Sequence, residues 1–571
     1  MRQLRKFLPV LQWLPYYKHT YLNGDLSAGF TVGVLLIPQG MAYALIAGLP
    51  PVYGLYASIV PQVIYALFGT SRQLSVAPVA MDSLLVAAGV SVMATEGTEA
   101  YIGFAILLAF FMGLFQLLLG VFRMGFITNL LSKPVISGFT SAAALIIGLN
   151  QLKYLLGIEL EKSNRVYEIL WYTIQRLDET HWLTLVIGVL GIVVIYGLKQ
   201  ISRKAPGALA AVVIGIVLVY TMNLHEKGVD IVKAIPQGLP AFTFPDFSLG
   251  RWGELVPLAL TISVVAFMEA YSVAKALETR KKDHQVDANQ ELIGLGAANL
   301  VGSLFQAYPV TGGFSRSAVN FESGANTPLA SVFSAALVVV TLLFLTPLFY
   351  FLPTSILASV IMVAIVNLVD MKYAMRLFKE DKMAFVLLMV TFLVTISFSM
   401  VPGIISGVVL SILILLYHMA YPHIAVLGRI KGQTVFRNVK RFSDLEIWKD
   451  KLIMRVDAPV TFINIQYIRD YILREVGSNP QIRQVVIDAS AISHVDASAV
   501  QGIIELIKTL KDREIRFFIA EVVGPVRDSM FKTRLMEEIG FENIYLTLND
   551  ALESEGKLAN RRRARAVQHN D

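Results

Sequence analysis

Between residues 25 and 421 the chain passes through one apolar window after another, each about 20 residues long, the length a helix needs to cross a roughly 30 Å hydrocarbon core. A soluble fold could not bury so many windows. Most of the chain is therefore expected to be a bundle of membrane-spanning helices, and 55% hydrophobic against 16% charged residues agrees. The windows fall near 25–47, 52–68, a short one from 75, 100–122, 134–149, 183–198 and 208–222. They recur near 255–276, 291–305, a short one from 315, 328–348, 354–368, 383–398 and 403–419. Each half has seven, with the third one short, which predicts two repeats at 25–222 and 254–421. An odd number of spans inserts the second repeat upside down relative to the first. Secondary transporters are built this way, with their sites where short or broken helices meet at the midplane.

Basic residues set the orientation. Arg72, then Arg123 and Lys133, then Lys199, Arg203 and Lys204, then Arg280, Lys281 and Lys282, then Lys372, Arg376, Lys379 and Lys382 all fall in loops that are inside when the N-terminus is inside. The short loops 94–99 and 306–312 on the other side carry none. A multi-pass protein of the inner (plasma) membrane with both termini cytoplasmic is expected. Residues 1–24, with Arg2, Arg5 and Lys6, read as a basic, aromatic segment on the inner surface. Pro9 and Pro15 interrupt the apolar run there, so no cleaved signal peptide is expected. The net charge of +7 is modest and accompanies membrane spans, which fits contact with membrane lipid rather than nucleic acid. The chain has no cysteine, hence no disulfide and no thiolate metal site.

After the last window the composition becomes that of a soluble domain, placed at 434–552. Val485–Asp488 and Ile515–Ala520 read as strands, 499–510 as an amphipathic helix, and another helix starts at Pro525. Alternation of this kind implies a small α/β domain. Residues 553–571, with the run Arg561-Arg-Arg-Ala-Arg565, read as a basic disordered tail.

Four features point to chemistry inside the membrane. The stretch 311–320, Thr-Gly-Gly-Phe-Ser-Arg-Ser-Ala-Val-Asn, places Arg316 among apolar spans, where a charge costs about 2.5–3.5 kcal/mol on insertion scales and normally faces a wet cavity. Its Gly pair suggests a helix beginning inside the membrane, with Ser315 near the cap and free amides pointing at an anion. The first span, broken by Gly29, Gly33, Pro38 and Gly40, offers Gln39 and Tyr43 on one helical face. The same break also reads as a plain kink. The third span begins with Pro78 and presents the amides of Val79, Ala80 and Met81. Asp82 in its first turn is either ordinary dipole compensation or a group that turns away from the anion, takes a proton or holds a cation. Glu269 sits mid-span, where burial disfavours the charged carboxylate. It suits proton coupling, or alternatively a static ion pair with Arg316.

Other signals are weaker. His418 and His423 read as interfacial anchors, and Gly294 and Gly296 as helix packing. No phosphate loop, nucleophile elbow or metal-ligand pattern is present, so neither enzyme chemistry, a cofactor nor a bound metal is expected. In the tail, Asp496 and Ser498 precede a helix. They read as its caps, or Ser498 as a residue whose phosphate the helix dipole would accommodate.

The runs Ile37-Pro-Gln-Gly-Met-Ala-Tyr-Ala44, Pro78-Val-Ala80, Glu269-Ala-Tyr-Ser-Val-Ala-Lys275 and Phe314-Ser-Arg-Ser317, followed by the α/β tail, resemble the SulP sulfate-permease family of anion transporters over nearly the whole chain. The tail resembles a STAS domain, named for sulfate transporters and anti-sigma factor antagonists. The resemblance implies an all-α membrane domain of about fourteen helices in two inverted seven-helix repeats, arranged as core and gate, plus a small cytoplasmic STAS domain. It implies an elevator motion and a homodimer. It also implies an anion held between the starts of spans three and ten, at Gln39, Tyr43, Val79, Ala80, Phe314, Ser315 and Arg316, with Glu269 as the acid linked to cation coupling. Asp82 falls where many relatives are uncharged, and Ser498 falls where anti-sigma antagonists carry a phosphorylated serine.

The expected function is secondary active transport of a small anion. Proton-coupled sulfate uptake leads, with sodium-coupled bicarbonate transport, dicarboxylate transport or anion exchange as alternatives. A membrane-anchored regulator whose STAS domain binds a protein partner is the reading from another class.

Overall fold

The computed structural model describes residues 8–129, 132–159, 165–201, 206–281, 285–366, 369–398 and 400–553. Arg2, Arg5, Lys6, Arg203, Lys204, Lys282 and the basic run 561–565 lie outside them. The chain divides into two compact units, Met1–Ser411 and Ile412–Asp571.

The first repeat comprises α1 (His19–Ile46), a broken span α2 (Pro51–Tyr56) and α3 (Val60–Phe68), strand β1 (Val76–Ala77), α4 (Ala80–Val90), α5 (Glu99–Val121) and α6 (Lys133–Leu156). A loop helix α7 (Val166–Gln175) precedes α8 (Trp182–Ile201) and α9 (Gly207–Thr221). The second repeat comprises α10 (Trp252–Lys281), α11 (Ala288–Ser303), strand β2 (Thr311–Gly312), α12 (Phe314–Glu322), α13 (Leu329–Val340), α14 (Thr354–Ile365), an amphipathic α15 (Met371–Glu380), α16 (Lys382–Ser397) and α17 (Met400–Ala420). One π turn and one 3-10 turn carry α13 on to Phe349.

Among the described residues, eight helices are long and apolar enough to cross a membrane, and four shorter apolar helices accompany them. With the more polar α11 and α12 these are the fourteen expected members. The third member of each repeat is short, 11 residues in α4 and 9 in α12, or about 17 and 14 Å. Neither can cross the bilayer, so both must begin inside it.

Small residues let the helices meet backbone to backbone. A Cβ on Gly29 would stand 2.5 Å from the Ala330 carbonyl oxygen, and one on Gly296 2.5 Å from the Leu117 amide nitrogen. These approaches join α1 to α13 and α11 to α5, as the small-residue pattern predicts. The helices α1 to α5 and α10 to α13 pack mainly among themselves, as do α6, α8, α9, α14 and α16, giving a core and a gate.

Two expectations about α1 are corrected. It starts at His19 rather than at 25, and it is a single helix through Pro38 rather than an interrupted one. Proline removes one intrahelical donor, but a transmembrane helix surrounded by neighbours tolerates that loss. The span that does break is the second, where Ser58 Oγ donates to the Gly54 carbonyl at 2.6 Å and Gln62 donates to the Ser58 carbonyl.

The soluble unit is a mixed sheet. Strands β3 (Ile424–Ile430), β4 (Phe436–Asn438), β5 (Leu445–Glu446) and β6 (Lys451–Val456) lead to α18 (Ile465–Ser478), β7 (Gln484–Asp488), α19 (Ala497–Asp512) and β8 (Arg516–Ala520). Helices α20 (Gly524–Lys532) and α21 (Leu535–Ile539), strand β9 (Ile544–Tyr545) and helix α22 (Leu548–Glu553) complete it. The strand order is β4-β3-β6-β7-β8-β9, with β6 to β9 parallel. Alternation sorts the residues onto two faces: Leu452, Met454, Val485 and Ile487 meet α18 to α21, while Ile453, Val486 and Phe518 meet α22. The unit begins upstream of the expected start at 434, because Ile424–Ile430 pairs with β4, β5 and β6 and cannot be a linker.

Candidate functional site

The two short strands pair antiparallel, Val76 opposite Gly312 and Ala77 opposite Thr311. The ladder is extended by the Gly313 amide, which donates to the Ser75 carbonyl at 3.1 Å, and by the Ser75 amide, which donates to Ser317 Oγ at 2.9 Å. Each strand runs directly into a half-helix, so antiparallel pairing makes α4 and α12 leave in opposite directions with their N-termini converging. The cap residues are Val79 and Gly313, and neither side chain caps the first-turn amides. Those amides are free to bind an anion. Ser315 is therefore not at the cap but second in the helix, because Gly313 holds the extended cap conformation (φ −86°, ψ 130°). Phe314 and Ser315 are both exposed.

Arg316 is buried, and its Nη2 donates to the Ala77 carbonyl at 3.1 Å. It thus reaches from α12 to the strand that feeds α4. From α1, Gln39 and Tyr43 bring their expected face, with Gln39 Oε1 buried and lacking a hydrogen-bond partner. Asp82 is fully buried and neither carboxylate oxygen has a hydrogen-bond partner; Glu269 Oε2 and Arg316 Nε are likewise buried and unpartnered. Asp82 lies within charge–charge range of Glu269, and Glu269 within range of Arg316 and Tyr43. No ion pair within 4.0 Å joins Arg316 to either carboxylate, so the static Glu269–Arg316 pair is not formed. Buried polar groups normally have partners, so this concentration of unpartnered atoms marks a site built for a ligand.

Several positioning residues are not readable from sequence. Asn299 clamps Val310 in both directions, its Oδ1 accepting from the Val310 amide at 2.9 Å and its Nδ2 donating to the Val310 carbonyl at 3.0 Å. Gln116 links Asn299 to the Ser263 carbonyl of α10. Thr311 Oγ1 donates at 2.7 Å to the Ala266 carbonyl, one turn before Glu269. Tyr308 is buried and shares a 3.0 Å hydrogen bond with Ser83 beside Asp82. Two further buried carboxylates fix the frame. Glu291 accepts from Tyr65 OH, the Thr70 amide and hydroxyl, and the Ser71 amide at 2.5–3.1 Å. Asp25 accepts from the Asn326 amide and the amide and hydroxyl of Thr327 at 2.6–3.0 Å. Each acid opens an apolar window in the sequence, but their partners, apart from Tyr65 of α3, lie in distant loops.

In the soluble unit Asp496 is the α19 cap. Its Oδ1 accepts from the Ala499 amide at 2.8 Å and its Oδ2 from the Phe462 amide at 2.9 Å. Ser498, second in the helix, is exposed.

Comparison with known proteins agrees with this architecture. Residues 22–391 match the sulfate permease family and residues 443–551 the STAS domain. The chain is 38% identical over 564 residues to a chloroplastic sulfate transporter 4.1 of Arabidopsis thaliana, covering 95% of this chain and 82% of that one. It is 35% identical over 577 residues to high affinity sulfate transporter 2 of Stylosanthes hamata, covering 97% and 87%. Its fold is similar to that of the murine solute carrier 26 family member A9 anion transporter in the inward-facing state, with a TM-score of 0.90 at 24% identity over 96% of this chain and 94% of that one. The transmembrane domain of a cyanobacterium bicarbonate transporter matches with a TM-score of 0.61 at 22% identity, over 68% of this chain and 98% of that one. The chain belongs to the sulfate permease family: it is a multi-pass membrane anion transporter with a C-terminal STAS domain, and not an enzyme.

Proposed function

We propose that this protein takes up sulfate with protons by alternating access, the core carrying the anion past the gate in an elevator motion. The observation that carries the reading is Arg316, which spans the junction of two half-helix N-termini and so adds a full positive charge to two sets of free amides. Gln39, Tyr43, Val79, Ala80, Phe314 and Ser315 line the site around it. Glu269 takes the coupling proton, and Asp82 is the second acid of the same site. Sulfate is favoured by the names of the relatives at 32–38% identity. The protein sits in the plasma membrane as a homodimer with both termini cytoplasmic. Residues 25–421 transport, and the STAS domain regulates through a protein partner at Asp496 and Ser498.

Purified protein in liposomes tests this with labelled sulfate. Arg316→Ala should abolish uptake; equal uptake by the variant refutes the site. Glu269→Gln should abolish uptake driven by a pH gradient and leave sulfate binding. Sodium-dependent bicarbonate flux that ignores the pH gradient would refute proton-coupled sulfate uptake.

A further inference from the structure

One helical turn beyond the central site, along two of its own helices, a second cavity of about 290 Å³ opens. On α1 the residues after Tyr43 bring Ile46 to its wall, and on α4 the residues after Asp82 and Ser83 bring Leu84 and then Ser91. The third wall is the end of α6, with Gln151, Lys153 and Tyr154. Core and gate helices thus enclose it together, on the side of the loop 94–99, which is outside in the orientation proposed above.

The chemistry of this cavity is that of an anion holder. Lys153 belongs to the last turn of α6, where its ammonium lies 4.7 Å from the centre of the Tyr154 ring. Among the described residues no carboxylate lies within 4.0 Å of it. Gln151 is only 4% exposed, lines the same cavity and has no hydrogen bond among the described residues, which leaves its amide available to whatever fills the cavity. Asn150 Nδ2 donates to the Ile146 carbonyl at 3.0 Å. Glu96 stands on another wall, against Gly48. Ile46, Leu84 and Ile147, all buried and apolar, form part of its wall. A lysine at a helix C-terminus also complements the dipole, but that role does not call for a cavity or for Gln151 turned into it.

We propose that this cavity is a second oxyanion station, in which Lys153 and Gln151 hold the anion loosely on the outer side before or after it occupies the Arg316 site. The ammonium is a hydrated point charge with freely turning donors, whereas the guanidinium offers a rigid fork, so the outer station is the weaker of the two. Its place on the transport route rests on the anion-uptake reading above, but binding can be measured without transport.

Equilibrium binding of labelled sulfate to the purified full chain gives the test. The wild type should bind two sulfates per chain, one tightly and one weakly. Lys153→Gln should lose only the weak one and raise the outside half-saturation for uptake about five- to tenfold at nearly unchanged maximal rate, and Lys153→Arg should restore both. With selenate as probe, anomalous density should occupy the cavity in the wild type. The inference is overturned if Lys153→Gln retains two sulfates and wild-type half-saturation. It is also overturned if the variant melts normally yet loses both sulfates together, or if selenate never occupies the cavity at saturating concentration. Should Arg316→Ala leave uptake intact while Lys153→Gln still loses its sulfate, the central-site assignment falls and the outer station stands.

Discussion

A single methyl group at Gly313 separates the position of Arg316 from its charge. The glycine has φ −86° and ψ 130°, a conformation open to any residue, so alanine introduces no backbone strain. Its Cβ would stand 2.9 Å from Arg316 Nη2 and 3.1 Å from Cζ, inside the ordinary contact distance of about 3.5–4.0 Å. The backbone is held by the ladder to Ser75 and Val76, so the end of the arginine has to move, by roughly half an ångström or more. That movement breaks the 3.1 Å bond to the Ala77 carbonyl. Hydrogen bonds from charged groups contribute about 1.5–3 kcal/mol, which corresponds to about 10- to 150-fold in affinity if all of it is felt by the bound anion. Because the charge remains and water replaces part of the bond, the lower end, about tenfold, is the expected weakening of sulfate binding. Alanine is also a poorer cap than glycine, at a cost of about 1 kcal/mol or less, so the protein should still fold. Equilibrium sulfate binding, with a thermal melt as control, measures the effect. Affinity within twofold of wild type in a normally melting variant would refute the idea that Gly313 sets where Arg316 points.

Two further outcomes follow from the buried and partly buried acids. Glu291→Ala strands the fully buried Tyr65 hydroxyl and the donors of Thr70 and Ser71, and should lower stability by about 3 kcal/mol in a thermal or denaturant melt; Glu291→Gln, which keeps the shape, should cost less. In the soluble unit, burial pushes the Asp457 carboxyl up, but hydrogen bonds from Arg455 at 2.5 Å and His423 at 2.8 Å, with their charges, outweigh it and hold the group below its ordinary value. The folded carboxylate is therefore the better-stabilised form. Its contribution, about 1 kcal/mol or less because the cluster is partly solvated, is present above the unfolded value near about 3.9 and is lost as pH falls through the depressed folded value. Asp457→Asn should melt lower than wild type at pH 6, with the gap narrowing once pH falls below about 3.9; a gap that does not narrow between pH 6 and about pH 3 would contradict this account.

The fourteen-member count, the two half-helices and the α/β tail were legible because each rests on local pattern: a run of apolar residues, a Gly or Pro break, a period of two. The pairing of β1 with β2 was not. Two residues from each repeat carry no propensity signal, and the ladder exists only because the whole core brings Val76 to Gly312. Pro38 shows the opposite error, since its neighbours let the helix continue where local rules predicted interruption. Arg316 and Glu269 stood out because charges are expensive in apolar windows. The contacts that hold the site did not, because Ala77, which accepts from Arg316, Ala266, which accepts from Thr311, and Val310, which Asn299 clamps, act through backbone groups that any sequence possesses. Lys153 lies past the expected window 134–149, and only the continuation of the helix to Leu156 and the cavity beside it give that base a setting.

The presence of two acids beside one arginine bears directly on coupling. With Asp82 and Glu269 both ionised, the three side chains already carry one negative charge in excess, and a divalent oxyanion would add two more. Like charges about 4 Å apart cost about 4 kcal/mol at an effective dielectric of 20. A proton arriving with the anion removes one of those repulsions, so occupancy by either favours occupancy by the other, and the effect is necessarily reciprocal. In the proposed cycle the proton and sulfate therefore need not touch. Arg316 alone would bind the anion regardless of the proton, and the acids alone would repel it. With both kinds of group buried together, the tight state of that proposed cycle is the one that holds both.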